Sequence, residues 1–211
     1  MTGKITALTV QQRNRERVNV FLDQVYRFSL SAIVAVPLRI GQTLSDADIA
    51  RLQAQDTYQK AYDKALNYLS YRPRSRAEVE RYLDEKKIAP EVVEAIIARL
   101  AEADLLDDSA FAKAWVENRA AFSPRGQRML RRELYQKGLD ASTVAEALQE
   151  VDEEAGAYQA ARARAQRYTA LDRATFERRL GGFLQRRGFD YDMVRSVVSR
   201  LWRELHTDYD N

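Results

Sequence analysis

The chain has 211 residues, with no cysteine, one histidine, eight glycines and four prolines, about half the usual share of turn residues, which favours long helices over a many-stranded sandwich or barrel. Without cysteine there is no disulfide, thiolate zinc site, iron–sulfur cluster or cysteine nucleophile, and His206 alone argues against a Ser–His–Asp triad or a multi-histidine metal site. Net charge is +3, with 45% hydrophobic and 31% charged residues, the composition of a folded, helix-rich protein.

The longest apolar run, residues 32–38, is broken by Pro37 and falls far short of the ~20 residues that span a bilayer. The N-terminus lacks the apolar segment of a signal peptide, so a cytoplasmic protein without membrane contact is expected.

Residues 1–56 read as a small β-containing extension. The runs 5–10, 17–22 and 25–30 are alternating or β-branched, and Asp23-Gln24 can turn the last two into a hairpin. Residues 30–36 are a candidate short helix. Ser45-Asp-Ala-Asp48 then caps a short helix through Leu52.

Beyond this point the sequence repeats itself. Leu83, Leu134 and Leu184 recur at intervals of 51 and 50 residues. Val79, Leu130 and Leu180 each stand four positions before them. Val93, Val144 and Val194 follow in register, then Ile97, Leu148 and Val198, then Leu100, Val151 and Leu201. Each unit reads as three helices, giving units at 57–108, 109–155 and 156–211. Pro73 and Pro124 mark the turn between first and second helices; 168–174 in the third unit is a looser match. Ser75-Arg-Ala-Glu78 is a capping box for the first middle helix. Gly138 and Gly188 end the other two, where positive φ is easiest for glycine; Lys87 breaks that pattern. Asp140 and Asp190 are placed to cap third helices, and Pro90 suits a first helical turn. The expected fold is therefore mainly α: three tandem three-helix repeats behind a small module with a β-hairpin.

Candidates for chemistry are few. There is no phosphate-binding loop and no dinucleotide fingerprint. The acids Asp104, Asp107 and Asp108 favour a cap over a metal site, with Asp108 capping a helix that begins at Ser109. Glu150, Asp152, Glu153 and Glu154 read as an exposed linker. Trp115 and Trp202 fall in apolar helical rows and read as core, and His206 as exposed. No catalytic, cofactor or metal site is expected.

Arginine is the better lead. Eight lie between Arg162 and Arg187. Arg72, Arg74 and Arg76 surround the turn of the first unit. Arg125 and Arg128 stand at or just after that of the second, Arg131 and Arg132 one helical turn later, and Arg178, Arg179, Arg186 and Arg187 in the third middle helix. Repeated guanidinium groups can follow a phosphate backbone or an acidic protein groove. For any one arginine the plain alternative is a solvated helix face, and no recognition helix carries Asn, Gln and Arg at base-reading spacing.

The stretch Leu105-Leu-Asp107-Asp108-Ser-Ala-Phe111-Ala112-Lys-Ala-Trp115-Val116-Glu-Asn-Arg119, with Ser123-Pro-Arg125-Gly126 and Leu130-Arg-Arg132-Glu133-Leu134-Tyr-Gln-Lys137-Gly138, resembles the central signature of the RecX regulatory proteins. Tyr71-Arg-Pro-Arg-Ser75 resembles their first-unit motif, and Phe183-Leu-Gln-Arg186-Arg187-Gly188-Phe189-Asp-Tyr191 their third. The likeness covers about 58–205, and 5–56 looks like the N-terminal extension of longer members; Lys87 departs from an expected glycine. A non-catalytic monomer is expected. The resemblance implies three tandem three-helix units in an elongated, curved array, and a protein that binds the RecA recombinase, chiefly its filament on single-stranded DNA. It implies inhibition of ATP hydrolysis, filament growth and strand exchange, and so regulation of DNA repair and recombination. Two other classes stay open: a helical DNA-binding protein acting without RecA, and a metal-dependent nuclease.

Overall fold

The computed structural model describes residues 2–206. The chain divides into two compact units, one running up to Pro73 and including Val79–Leu105, the other made of Arg74–Glu78 and the residues from Leu106 onward.

The first unit opens with a four-stranded antiparallel sheet in the order β3-β2-β1-β4. Its members are β1 (Thr2–Val10), β2 (Arg17–Leu22), β3 (Val25–Ser31) and β4 (Thr43–Ser45), with the four-residue helix α1 (Ala32–Ala35) between the last two. Asp23 and Gln24 both take positive φ, 50° and 70°. Two left-handed residues make the tight turn whose twist matches the flanking strands, so the expected β2–β3 hairpin forms. Alternation places Ile5, Val20, Leu22, Phe28, Leu30 and Leu44 in one core with Leu52. The three-residue β4 is too short to show in the sequence pattern.

Ser45 caps the next helix as expected. The Asp48 amide donates to its hydroxyl at 3.1 Å, and its own amide donates back to the Asp48 carboxylate at 3.1 Å. The helix does not stop near Leu52, however. α2 (Asp46–Ser70) runs for 25 residues; no glycine or proline interrupts it, and packing along its length sustains it. Its buried face serves two partners: α2 packs on β3 and β4 and also on α4 (Pro90–Glu102).

Asp56, 4% exposed, ties α2 to the sheet. It accepts Arg17 Nη1 at 2.8 Å, the Ser31 hydroxyl at 2.7 Å and the Ser31 amide, and pairs with Lys60 Nζ at 2.8 Å. Burial alone would push the carboxyl up; the bonds from Lys60, Ser31 and Arg17 overcome it and hold the pKa down at about 2.

The three repeats share one plan. The middle helices are α3 (Arg76–Glu85), α6 (Gln127–Gln136) and α9 (Arg173–Arg186). First helices of the later repeats are α5 (Asp108–Phe122) and α8 (Glu153–Ala165), and third helices are α4, α7 (Ala141–Leu148) and α10 (Tyr191–His206). The apolar positions matched by register are all buried except Val151, which is partly buried and lies beyond α7. The ends of the middle helices repeat to the atom. The carbonyls of Leu83, Leu134 and Leu184 accept the amides of Ile88, Leu139 and Phe189 at 3.2, 3.3 and 3.3 Å. This is the Schellman termination, and the residue at its corner has positive φ in all three: Lys87 at 58°, Gly138 at 84° and Gly188 at 88°. Lys87 therefore breaks the composition and keeps the geometry. Asp140 accepts from the Thr143 amide at 2.9 Å and Asp190 from the Asp192 amide at 3.0 Å, as their positions implied.

Three local expectations are corrected. Asp107, not Asp108, caps α5, accepting the Ala110 amide at 2.9 Å; Asp108 is turned to the Arg76 amide at 2.8 Å. The acids at 150–154 are not a free linker: Asp152 caps α8 through the Ala155 amide at 2.9 Å, and Glu153 accepts the Gln127 amide at 2.9 Å. His206 is half-buried, stacked on Trp202 with ring centroids 3.6 Å apart and edge-on to Phe176 at 6.5 Å.

A buried carboxylate with depressed pKa contributes stability that is present above its unfolded value and lost as pH falls through the folded one. Lowering pH from about 4 to about 2 should therefore cost about 2 kcal/mol through Asp56, since each pKa unit corresponds to ~1.4 kcal/mol. Asp56→Asn should lose about 3 kcal/mol at neutral pH by stranding the half-sequestered Arg17, and should flatten that acid limb. Urea melts from pH 2 to 7 check both.

Candidate functional site

The second unit is built around one contact, made twice. Immediately before α3, Ser75 is fully buried and its hydroxyl donates to the Lys137 carbonyl at 2.6 Å. In α6, the capping residue Gly126 donates its amide to the Arg187 carbonyl at 3.0 Å. Ser75 and Gly126 are equivalent, as are Lys137 and Arg187, so the start of one middle helix holds the end of the next by the same pairing. The approach is close enough to dictate sequence. A Cβ on Gly138 would collide with Ala77, one on Gly126 with the Gly188 carbonyl, and one on Gly188 would lie 2.6 Å from Met129 Cβ.

A polar cluster consolidates the contact. Lys137 Nζ pairs with Glu78, 9% exposed, at 2.8 Å and lies 4.9 Å from the Trp115 ring. Glu133 accepts Trp115 Nε1 at 2.9 Å and Arg119 Nε at 2.7 Å, while Arg125 Nε stands 3.8 Å away. Trp115 is thus half-buried core with a satisfied indole, as its row implied. Trp115, Arg119, Glu133 and Lys137 all fall in the central signature, but only the fold brings them together; locally the sequence shows no more than the four-residue spacings Trp115–Arg119 and Glu133–Lys137.

The eleven arginines fall into two groups. Arg187 is drawn inward: it donates to the Pro124 carbonyl at 3.0 Å and lies 4.6 Å from the Phe183 ring. Burial first, then the nearby Arg125 and Arg164, lower its pKa from the ordinary value. Arg125, Arg74 and Arg72 are half-buried, Arg72 bonding to the Pro73 carbonyl at 2.8 Å. By contrast Arg76, Arg128, Arg131, Arg132, Arg178, Arg179 and Arg186 are exposed. Arg128 reaches the Gln185 carbonyl at 3.4 Å, which joins the arginines of α6 to those of α9. Arg179 lies 5.9 Å from the Tyr168 ring. Among the described residues no cluster of His, Asp and Glu could hold a metal ion, and no helix is long and apolar enough to cross a membrane.

Four family models match in chain order: the RecX N-terminal domain over 3–45 and the first, second and third RecX three-helix domains over 61–100, 107–148 and 152–198. The chain belongs to the RecX family. A Bacillus subtilis regulatory protein RecX is 35% identical over 98% of this chain and 79% of its own length, and one from Bacillus licheniformis is 35% identical over 98% and 78%. A crystal structure of a regulatory protein RecX superposes with a TM-score of 0.76 at 27% identity, covering 93% of this chain and 99% of that one. That of RecX from Lactobacillus salivarius gives 0.63 at 29% identity over 70% of this chain. Membership accounts for the three repeats and the N-terminal sheet together, and the relatives are named as regulators.

Gly188→Ala should destabilise the protein by about 2–4 kcal/mol, from a left-handed backbone and a steric conflict with Met129. Lys87→Gly, at the same backbone geometry without a docked neighbour, should stabilise it by ~1 kcal/mol. Denaturant midpoints of the two variants test whether docking, beyond φ, demands glycine.

Proposed function

We propose that this RecX-family chain is a non-catalytic modulator of the RecA recombinase, binding its filament on single-stranded DNA and slowing ATP hydrolysis, filament growth and strand exchange. The observation that carries the reading is the exposed arginine set of α6 and α9, fixed on helices whose relative placement within the second unit is locked by the paired end-to-start contact. Holding the helices in place lowers the cost of bringing several guanidinium groups at once to phosphates or carboxylates, which suits a ligand that presents both. The proposed modules are 57–108, 109–155 and 156–211, with 1–56 as an extension. Of the eleven candidates, Arg128, Arg131, Arg132, Arg178, Arg179 and Arg186 are the proposed contacts; Arg187 acts first to hold the second and third repeats through the Pro124 carbonyl, and Arg125 is half-buried beside Glu133.

RecA ATPase on single-stranded DNA, titrated with the purified protein, tests the reading. The rate should fall with added protein, and an unchanged rate with no co-sedimentation on the filament would sink it. Reversing Arg128, Arg131 and Arg132 to Glu should weaken inhibition about tenfold or more with the melting temperature little changed, because all three side chains are exposed. The independent DNA-binding reading would instead show undiminished activity without RecA.

A further inference from the structure

The third repeat carries a groove that differs chemically from the equivalent surfaces of the other two. It lies between α9 and α10, has a volume of about 860 Å3, and is lined by Arg173, Arg178, Arg195 and the pair Gly181-Gly182, with Tyr191 at one end. Tyr191 is 63% exposed. Glu177, the one acid in the lining, is paired with Arg173 at 2.8 Å. Arg178 makes only a long contact, 3.4 Å, to the Thr175 hydroxyl, and Arg195 is exposed. Two cationic side chains thus line an open groove beside an exposed aromatic ring.

Internal register shows that the fold does not ask for these residues. Gly181 and Gly182 occupy the places of Glu80 and Arg81 in α3 and of Arg131 and Arg132 in α6, all long side chains on helices of the same plan. Neither glycine has positive φ. A Cβ at Gly181 would meet Val194 at 3.6 Å, an ordinary contact, and one at Gly182 would approach only the end of the Arg186 side chain, at 3.3 Å. Glycine inside a helix costs stability. Unlike Gly126, Gly138 and Gly188, these two gain nothing back in packing. Bare backbone is useful where a ligand must come close. In the same register Tyr191 replaces Pro90 and Ala141, and Arg195 replaces Glu94 and Ala145. An open helix surface, an exposed ring and flanking guanidinium groups together suit a flexible chain of phosphates and bases, for which stacking and charge are the two sequence-tolerant sources of affinity.

We propose that the α9–α10 groove binds single-stranded nucleic acid directly, one base stacking on Tyr191 while phosphates lie against Arg178 and Arg195 over the bared backbone of α9. This rests on the filament reading for its setting and says which component of the filament this repeat touches.

Anisotropy of a fluorescein-labelled oligo(dT) of about 16 nucleotides, titrated with the full chain in the absence of RecA, is the test. Binding should occur and weaken steeply with salt. Tyr191→Ala should weaken it about tenfold, and Arg178→Glu with Arg195→Glu at least as much. Gly182→Gln is the discriminating variant: it should raise the melting temperature and weaken binding several-fold, a pairing that a merely structural glycine would not produce. Unchanged binding in these variants, or equal binding to a blunt duplex of the same length, would overturn the proposal. So would groove variants that lose ATPase inhibition in a protein that never binds the oligonucleotide, since the groove would then face RecA itself and the filament reading would survive. Oligonucleotide binding lost in the variants without any parental effect on RecA would support the groove and sink the filament reading.

Discussion

The second unit depends on the contact between the start of one middle helix and the end of the next. Ser75 and Gly126 use different atoms, a hydroxyl and an amide, to reach the same carbonyl position, at Lys137 and Arg187. Because that carbonyl immediately precedes the left-handed corner, the corner residue is pressed against the neighbouring helix. Two demands then coincide at Gly138 and Gly188: positive φ, and no side chain. At Lys87 only the first applies. Its side chain is exposed, and a lysine at φ 58° bears a modest conformational cost that docking does not compound. The departure from glycine in the first repeat is thus a consequence of the device, because no earlier middle helix rests there.

The same contact sorts the basic residues by role. Lys137 and Arg187 are equivalent by register, and both are spent on the junction, Lys137 on Glu78 and Arg187 on the Pro124 carbonyl. Arg125 is held beside Glu133. What remains outward is Arg76 at the start of α3 and a larger set on α6 and α9, carried on helices that cannot shift without breaking the hydrogen bonds of the junction. A surface of this kind presents charge at fixed spacing, which favours specific engagement of a periodic partner over diffuse attraction.

Much of this was legible in the sequence, and the reason is periodicity. Each repeat buries the same rows, so Val79, Leu130 and Leu180 identify one another without knowledge of the fold. The hairpin at Asp23-Gln24 was readable because the turn is local. What escaped was decided by residues far apart. The length of α2 depends on two packing partners, and Asp56 looks like any surface acid until Arg17 and Ser31 are brought to it. Asp108 satisfied the local rule for a cap as well as Asp107 did; the amide of Arg76 decided between them. His206 sat beside a polar tail in the sequence, yet the aromatic rings of Trp202 and Phe176 draw it in. The arginine list named residues of the right type, but exposure and engagement, visible only in the folded unit, separate structural guanidinium groups from available ones.

Amide hydrogen exchange of the chain, measured with and without RecA assembled on single-stranded DNA, tests the central claim most directly. The account predicts new protection centred on the exposed faces of α6 and α9, with little change in the β1–β4 sheet. Protection confined to that sheet, or none at filament concentrations that saturate binding, would contradict it.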